Sequence, residues 1–225
     1  CVAADADRHR AEAAAWRTVA WAQRCRDTER LPGQLLFAIV QGGMFADLRE
    51  ENAAALVALD FTGYAVGGLS VGESRDVMIE LAARSVAPLP ADRPRYLMGV
   101  GLPQDLIRFV GMGYDMFDCV LPTRNGRNGM LFTSQGRVNL RLARHAEADR
   151  PPDPACGCYT CRHFSLAYLR HLAVAGEMLG PQLASLHNLH FYLNLMGEMR
   201  NAIEAGDFPA WSAQRIAALE EGSQA

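Results

Sequence analysis

Lysine is absent from the 225-residue sequence, and all 22 basic residues are arginine. Genomic base composition produces such a bias as readily as function does, so it carries no functional weight. Against 25 acidic residues the formal net charge is −3, which argues against a uniformly basic nucleic-acid binder. Long apolar runs are missing too. None approaches the roughly 18 residues that a membrane helix needs, and the charged, alanine-rich N-terminus looks nothing like a signal peptide. A cytoplasmic protein with no membrane partner is expected. The chain also opens on Cys1 rather than Met and reads straight into a helical pattern, which points to a fragment lacking its upstream part. A last absence is local. From Cys119 to Ala146 there is no Asp or Glu, while Arg124, Arg127, Arg137, Arg141, Arg144 and His145 all fall inside that stretch. On charge alone this reads as a solvated face, with an anion-binding surface as the sharper alternative.

Half of the residues are hydrophobic, ample for a core in one domain plus an appendage. Residues 3–27 have helical composition, with Ala11, Ala15, Val19 and Ala22 forming one apolar stripe and Trp16 at its edge. Short apolar runs of strand length follow at 35–40, 63–68, 95–100 and 114–120. Amphipathic helical patterns beginning at Ala46, Ser74 and Pro103 lie between them. The order β-α-β-α-β-α-β predicts a parallel sheet with helices packed on it, and continuously apolar strands predict burial on both faces. Near the carboxyl ends of these strands, the edge where such sheets bind ligands, stand Gln41-Gly42-Gly43, Gly67-Gly68, Met98-Gly99 and Asp118. Four strands are too few for a closed barrel of eight. Residues 121–129 (LPTRNGRNG) read as a Gly- and Asn-rich loop, 130–141 as a hairpin turning at Gln135-Gly136, and the rest as helical, with Pro181 near one helix start and Gly206 at its stop.

Cysteine is sparse, six in all, yet three of the six stand in CGCYTC, at 156, 158 and 161. Thiolates so spaced can converge on one ion, and tetrahedral Zn2+ is the commonest cytosolic occupant. A disulfide framework suits neither the compartment nor the odd count within the cluster. An iron–sulfur centre would want a fourth cysteine, and Cys119 sits far back on a strand expected to be buried. The fourth ligand could be His163, His171, His187 or His190, and spacing does not choose among them.

Several motifs in fixed order are more specific. VQGGMFADLR (40–49), GYAVGGLSVGE (63–73), PRYLMGVG (94–101), DMFDCVLPTRNGRNG (115–129) and CGCYTC followed by His187 closely resemble the tRNA-guanine transglycosylase family, also called queuine tRNA-ribosyltransferase, over nearly the whole chain. The resemblance implies a (β/α)8 barrel of TIM type, of which this chain carries the C-terminal part (1–142), and a zinc-binding subdomain with C-terminal helices (143–225). It assigns the zinc to Cys156, Cys158, Cys161 and His187.

The family exchanges the wobble guanine of certain tRNA anticodons for a 7-deazaguanine base through a covalent ester between an Asp carboxylate and the ribose. Two inversions give net retention, as in retaining glycoside hydrolysis. Matching MFDCVLPTR makes Asp118 the nucleophile. The residues agree, since a carboxylate amid Met116, Phe117, Cys119 and Val120 is costly to desolvate unless bonded or used, and Asp115 falls on the other strand face. The base pocket would use Gln41, Gly68 and Leu69, with Met98 against the heterocycle. Contacts to RNA would come from Gly99, Val100, Gly101, Leu102, Pro103, Gln104 and Asp105, and from Thr123, Arg124, Asn125, Gly126 and Arg127.

Val71 in LSVGE resembles the bacterial form, which implies 7-aminomethyl-7-deazaguanine as the incoming base. Family members are typically homodimers. Two features of the family pattern have no match here: the Asp that serves as general acid/base and a base-binding Asp preceding the Cys that Cys1 matches. The expectation is that this stretch alone does not turn over. A non-catalytic, zinc-containing RNA-binding or dimerisation subunit is the alternative, and Asp118, Gln41 and Gly68 argue against it.

Overall fold

A computed structural model describes residues 1–221; residues 222–225, which close the second expected domain, lie outside the described residues. The chain divides into two compact units, residues 1–101 with 109–119, and residues 102–108 with 120–225.

The first unit opens with α1 (Arg8–Arg26), capped by the Asp7 carboxylate, which accepts the Arg10 N–H at 2.8 Å. Ala11 and Ala15 are buried and Trp16 is exposed, as the stripe required. Then β1 (Phe37–Val40), α2 (Ala46–Val57), β2 (Gly63–Val66), α3 (Arg75–Val86), β3 (Arg95–Leu97), α4 (Pro103–Gly111) and β4 (Met116–Phe117) follow in turn. The four strands form one parallel sheet in sequence order, β1-β2-β3-β4. One face of it, carrying Ala38, Val40, Tyr64, Val66 and Leu97, is packed into a core with Leu56, Leu81, Ala82, Val86 and Phe109.

The other face does not meet the expectation of burial on both sides. Ile39, Ala65, Tyr96 and Met116 lie side by side in register, and Ile39 and Met116 are 37% and 45% exposed. Apolar content predicted a cover that no element of this sheet supplies; an open four-stranded sheet stands where a closed barrel would need eight strands.

The second unit holds α5 (Leu121–Arg127), the antiparallel pair β5 (Met130–Thr133) and β6 (Gly136–Asn139), and the helices α6 (Tyr159–His163), α7 (Leu166–Ala175), α8 (Leu179–Ala205) and α9 (Phe208–Glu221). The first turns of α4 belong here, with Arg108 bonding Asp105 at 3.4 Å and Glu220 at 2.7 Å. Gly176 and Gly206 end α7 and α8 in the left-handed region, φ +76 and +75.

Two local expectations are corrected. Residues 121–127 are a helix, not a loop, because packing on α8 outweighs weak propensity. The Asn188 amide of α8 donates to the Pro122 and Met130 carbonyls at 2.9 and 3.0 Å and accepts the Phe132 N–H at 3.0 Å. The hairpin turns one residue earlier, at Ser134-Gln135, with Thr133 opposite Gly136. There Asp153 accepts from both the backbone and the hydroxyl of Ser134 at 2.7 Å.

A Cβ at Gly126 would stand 2.8 Å from the Ser185 backbone nitrogen. Gly126→Val is therefore expected to destabilise the second unit by about 2–3 kcal/mol, read as a lowered unfolding midpoint, with little change for the exposed neighbour Arg127→Ala. Among the described residues no helix is long and apolar enough to cross a membrane.

Candidate functional site

The sequence-predicted residues of the first unit gather at the carboxyl edge of the sheet. Gln41 follows β1, and its backbone N–H donates to Asn52 Oδ1 at 2.9 Å, fixing where its side chain leaves the strand. A Cβ at Gly67 would lie 2.8 Å from Gln41 Nε2 and 3.6 Å from Met98 Sδ, and one at Gly68 would lie 2.7 Å from Gln41 Oε1. Gln41, Met98 and the two glycines thus share one small space, which side chains at 67 or 68 would fill. Gly68 has φ +68, where an L side chain is strained. Leu69 is buried at 3% and belongs to the core beneath this space.

Asp118 follows the short β4 and is exposed. The expectation of a carboxylate buried among apolar neighbours is thereby corrected, because β4 ends at Phe117 and Asp118 lies past the packed part of the strand. Its Oδ1 accepts two hydrogen bonds, from the Tyr96 hydroxyl at 2.6 Å and from the Gly99 N–H at 2.9 Å. No partner is found for Oδ2 among the described residues. The Tyr96 pKa is pushed up to about 12, chiefly by this hydrogen bond and secondarily by desolvation, so the hydroxyl keeps its proton and its donor role at neutral pH. Asp115 occupies the opposite end of the strand, where its Oδ2 accepts the Arg95 N–H at 2.8 Å.

Tyr96 went unnoticed in the sequence. The available signal was alternation, since Tyr96 and Met98 lie two apart and share a strand face. Asn52 was missed as well; it occurs at a buried position of α2, where a polar side chain must be bonded.

In the second unit the sulfurs of Cys156, Cys158 and Cys161 and a ring nitrogen of His187 lie within 4.8 Å of one another, a group that could hold one metal ion. Cys158 caps α6 and Cys161 lies within it, while Thr160 pins α6 to α8 through a 2.8 Å bond to the Leu183 carbonyl. His187 is fully buried on α8, and its Nε2 lies 2.8 Å from the Phe132 carbonyl. A carbonyl only accepts, so Nε2 carries the proton and Nδ1 offers its lone pair to the sulfurs. Nδ1 lies 3.7, 3.5 and 3.3 Å from the sulfurs of Cys156, Cys158 and Cys161. A tetrahedral ion with zinc's usual bond lengths gives sulfur–nitrogen edges of about 3.5 Å, so the donors fit. The Cys161 thiol beside it holds the Cys158 thiol well below the ordinary range, the state in which sulfur binds metal.

The other candidate histidines do not converge on this group. His163 and His171 are exposed, and His190 bonds Asn194 at 2.9 Å. Of the residues expected to touch RNA, Gly99, Arg124 and Arg127 are exposed. Leu102, Gln104, Thr123 and Asn125 are half-buried, and Val100, Gly101, Pro103, Asp105 and Gly126 are buried.

A parallel βα array, continued in the same chain by a Cys3His group that could hold a metal ion, defines an α/β protein with a candidate metal centre. A sequence model of the queuine tRNA-ribosyltransferase family matches residues 1–221, and the chain belongs to that family. It is 53% identical over 224 residues to a queuine tRNA-ribosyltransferase of Desulfosudis oleivorans, covering 98% of this chain and 58% of the relative. To that of Polaromonas naphthalenivorans it is 54% identical over 204 residues, covering 90% of this chain and 53% of the relative. To that of Solidesulfovibrio magneticus it is 52% identical over 224 residues, covering 99% and 60%. The chain thus spans a little over half the length of these curated relatives.

Proposed function

We propose that the full-length protein carrying this chain is a tRNA-guanine transglycosylase that replaces the wobble guanine with 7-aminomethyl-7-deazaguanine, and that Asp118 is its nucleophile. One observation carries the reading: both donors that hold Asp118 bond the same oxygen, so Oδ2 is held in a fixed place with its lone pairs free. An exposed oxygen held in place without a protein partner is what a nucleophile needs. In the first step Oδ2 bonds to ribose C1′ as the bond from C1′ to guanine N9 breaks, and the electron pair leaves with guanine, which takes up a proton at nitrogen. In the second step the incoming base, having lost its N9 proton, attacks C1′ and releases the carboxylate.

Gln41 offers both a donor and an acceptor to a purine-like edge, and Met98 supplies an apolar contact to the ring. The choice of incoming base rests on Val71, which is 41% exposed. Arg124 and Arg127, exposed on α5, suit phosphates and unstacked bases of an anticodon loop, whose target nucleotide must leave its stack to react.

The sheet is the C-terminal part of a (β/α)8 barrel. Strands running in sequence order, with right-handed crossovers, put their helices on one face and leave the Ile39–Met116 face for a barrel interior. The clasp holds structural Zn2+, whose four protein ligands leave no open position for water. The protein is cytoplasmic and homodimeric, and the aromatic row of Tyr159, His163, Phe164, Tyr168 and His171 is a surface available to a second subunit. Residues 1–225 by themselves do not exchange bases, since two carboxylates of the family pattern have no match in them.

Incorporation of labelled guanine into tRNA by the full-length protein tests the reading; a protein that binds tRNA without exchange would instead be the non-catalytic subunit. Tyr96→Phe removes one of the two donors that aim Asp118 and is expected to slow exchange about tenfold with unchanged tRNA affinity, measured by single-turnover kinetics.

A further inference from the structure

Arg49, on α2, is fully buried and has no role in the chemistry above. Its Nε donates to the Gly43 carbonyl at 2.8 Å, Nη1 to the Gly67 carbonyl at 3.1 Å and Nη2 to the Gly68 carbonyl at 2.9 Å, with Ser85 Oγ 3.5 Å from Nη1. Among the described residues it forms no ion pair. Burial pushes its pKa down to about 10, which leaves the guanidinium charged at neutral pH. A cation so placed is costly unless its hydrogen bonds are fully met, and here the two glycine loops around Gln41 and Met98 meet them. The approach is close: a Cβ at Gly42 would stand 2.7 Å from the Arg49 backbone nitrogen.

A trans peptide points its C=O and N–H in opposite directions, and the chain has no cis bond. With the Gly67 and Gly68 carbonyls turned onto one guanidinium, the N–H groups of Gly68 and Leu69 turn the other way. No hydrogen bond is found for either N–H among the described residues. Successive N–H groups on one side form a small concavity that favours a negative or carbonyl oxygen.

We infer that Arg49 is a positioning residue for the pocket: by holding the Gly67 and Gly68 carbonyls away from the ligand, it presents the Gly68 and Leu69 N–H groups as a paired donor for a ligand oxygen. That the oxygen is the 6-oxo group of a guanine-like base rests on the transglycosylase reading. The Arg49→Lys variant keeps the charge and loses the fork, so that one ammonium cannot hold three carbonyls in register.

In the full-length protein, guanine is expected to bind at least about tenfold tighter than 2-aminopurine, which lacks the 6-oxygen. In Arg49→Lys the preference should shrink to near unity, with the KM for base raised far more than kcat is lowered. A folded Arg49→Lys variant, with an unchanged melting transition, that keeps the full preference overturns the inference, since a merely structural loss would weaken both ligands alike. Where the variant does not fold, amide exchange in the wild-type protein decides. Saturating guanine should slow exchange at Gly68 and Leu69, and unchanged exchange there overturns the inference. A wild-type protein that binds guanine in this way yet fails to exchange it into tRNA would count against the transglycosylase reading alone.

Discussion

Asp118→Asn in the full-length protein is expected to abolish the covalent protein–RNA species and to lower guanine exchange by at least about 10^4-fold, while tRNA affinity stays within a few-fold. The substitution is close to isosteric. The amide oxygen still accepts from the Tyr96 hydroxyl and the Gly99 N–H, the two bonds that hold the carboxylate at 2.6 and 2.9 Å. What replaces the free Oδ2 is an NH2 group, whose lone pair is delocalised into the amide and does not attack a saturated carbon. Because Asp118 is exposed and outside the packed core, stability should move by no more than about 0.5 kcal/mol, so lost activity will not be lost fold. The measurement is a denaturing gel after incubation with tRNA. A retarded band with the wild type and none with Asp118→Asn is the expected pair, and an Asn variant that still traps RNA would sink the assignment. Asp115→Asn is the control: its carboxylate bonds the Arg95 backbone at the far strand end, so trapping should persist.

The alternation of strands and helices was legible because each strand run is apolar and two of the intervening helices carry a start signal, Ser74 capping α3 and Pro103 opening α4. Gln41, Gly68 and Met98 were legible as a group because parallel strands bring their carboxyl ends to one edge. Residues 121–127 misled because their helical state depends on Asn188 and Ser185 of α8, more than fifty residues on, which local propensity does not weigh. The setting of Asp118 misled for a related reason. Apolar neighbours in sequence predicted a dry site, but alternation sends Met116 and Asp118 to the face that this sheet leaves open. Arg49 was hidden in plain view. Leu48, Asn52, Ala53 and Leu56 give α2 a buried stripe that includes an arginine, and a charge on such a stripe marks a bonded role that composition averages away.

Cys158→Ser is expected to reduce bound metal from one ion per chain to near zero and to remove the second unit's cooperative melting transition, leaving that of the first unit in place. Of the three thiols Cys158 is the one that also caps a helix. Its sulfur caps α6, accepting the Cys161 N–H at 3.4 Å, and lies 3.5 Å from His187 Nδ1. A serine hydroxyl can still cap the helix, but as a neutral, harder and shorter donor it is a poor fourth ligand for a soft ion. Structural zinc sites contribute apparent binding free energies of about 10–16 kcal/mol at neutral pH, comparable with the whole stability of a domain. The ion would tie the segment before α6 to α8, and through His187 Nε2 to the Phe132 carbonyl of β5. Its loss should therefore raise amide exchange around 156–163 and 130–133 together, while exchange in β1 and β2 stays as it was. Metal analysis by mass spectrometry and site-resolved exchange read the two halves of the expectation. Cys25→Ser, on the exposed surface of α1, should change neither. Full metal content in Cys158→Ser would remove it from the ligand set. Full metal loss with an unmoved second transition would mean that packing of Leu131, Leu140, Leu166 and Leu169 holds the unit together without the clasp.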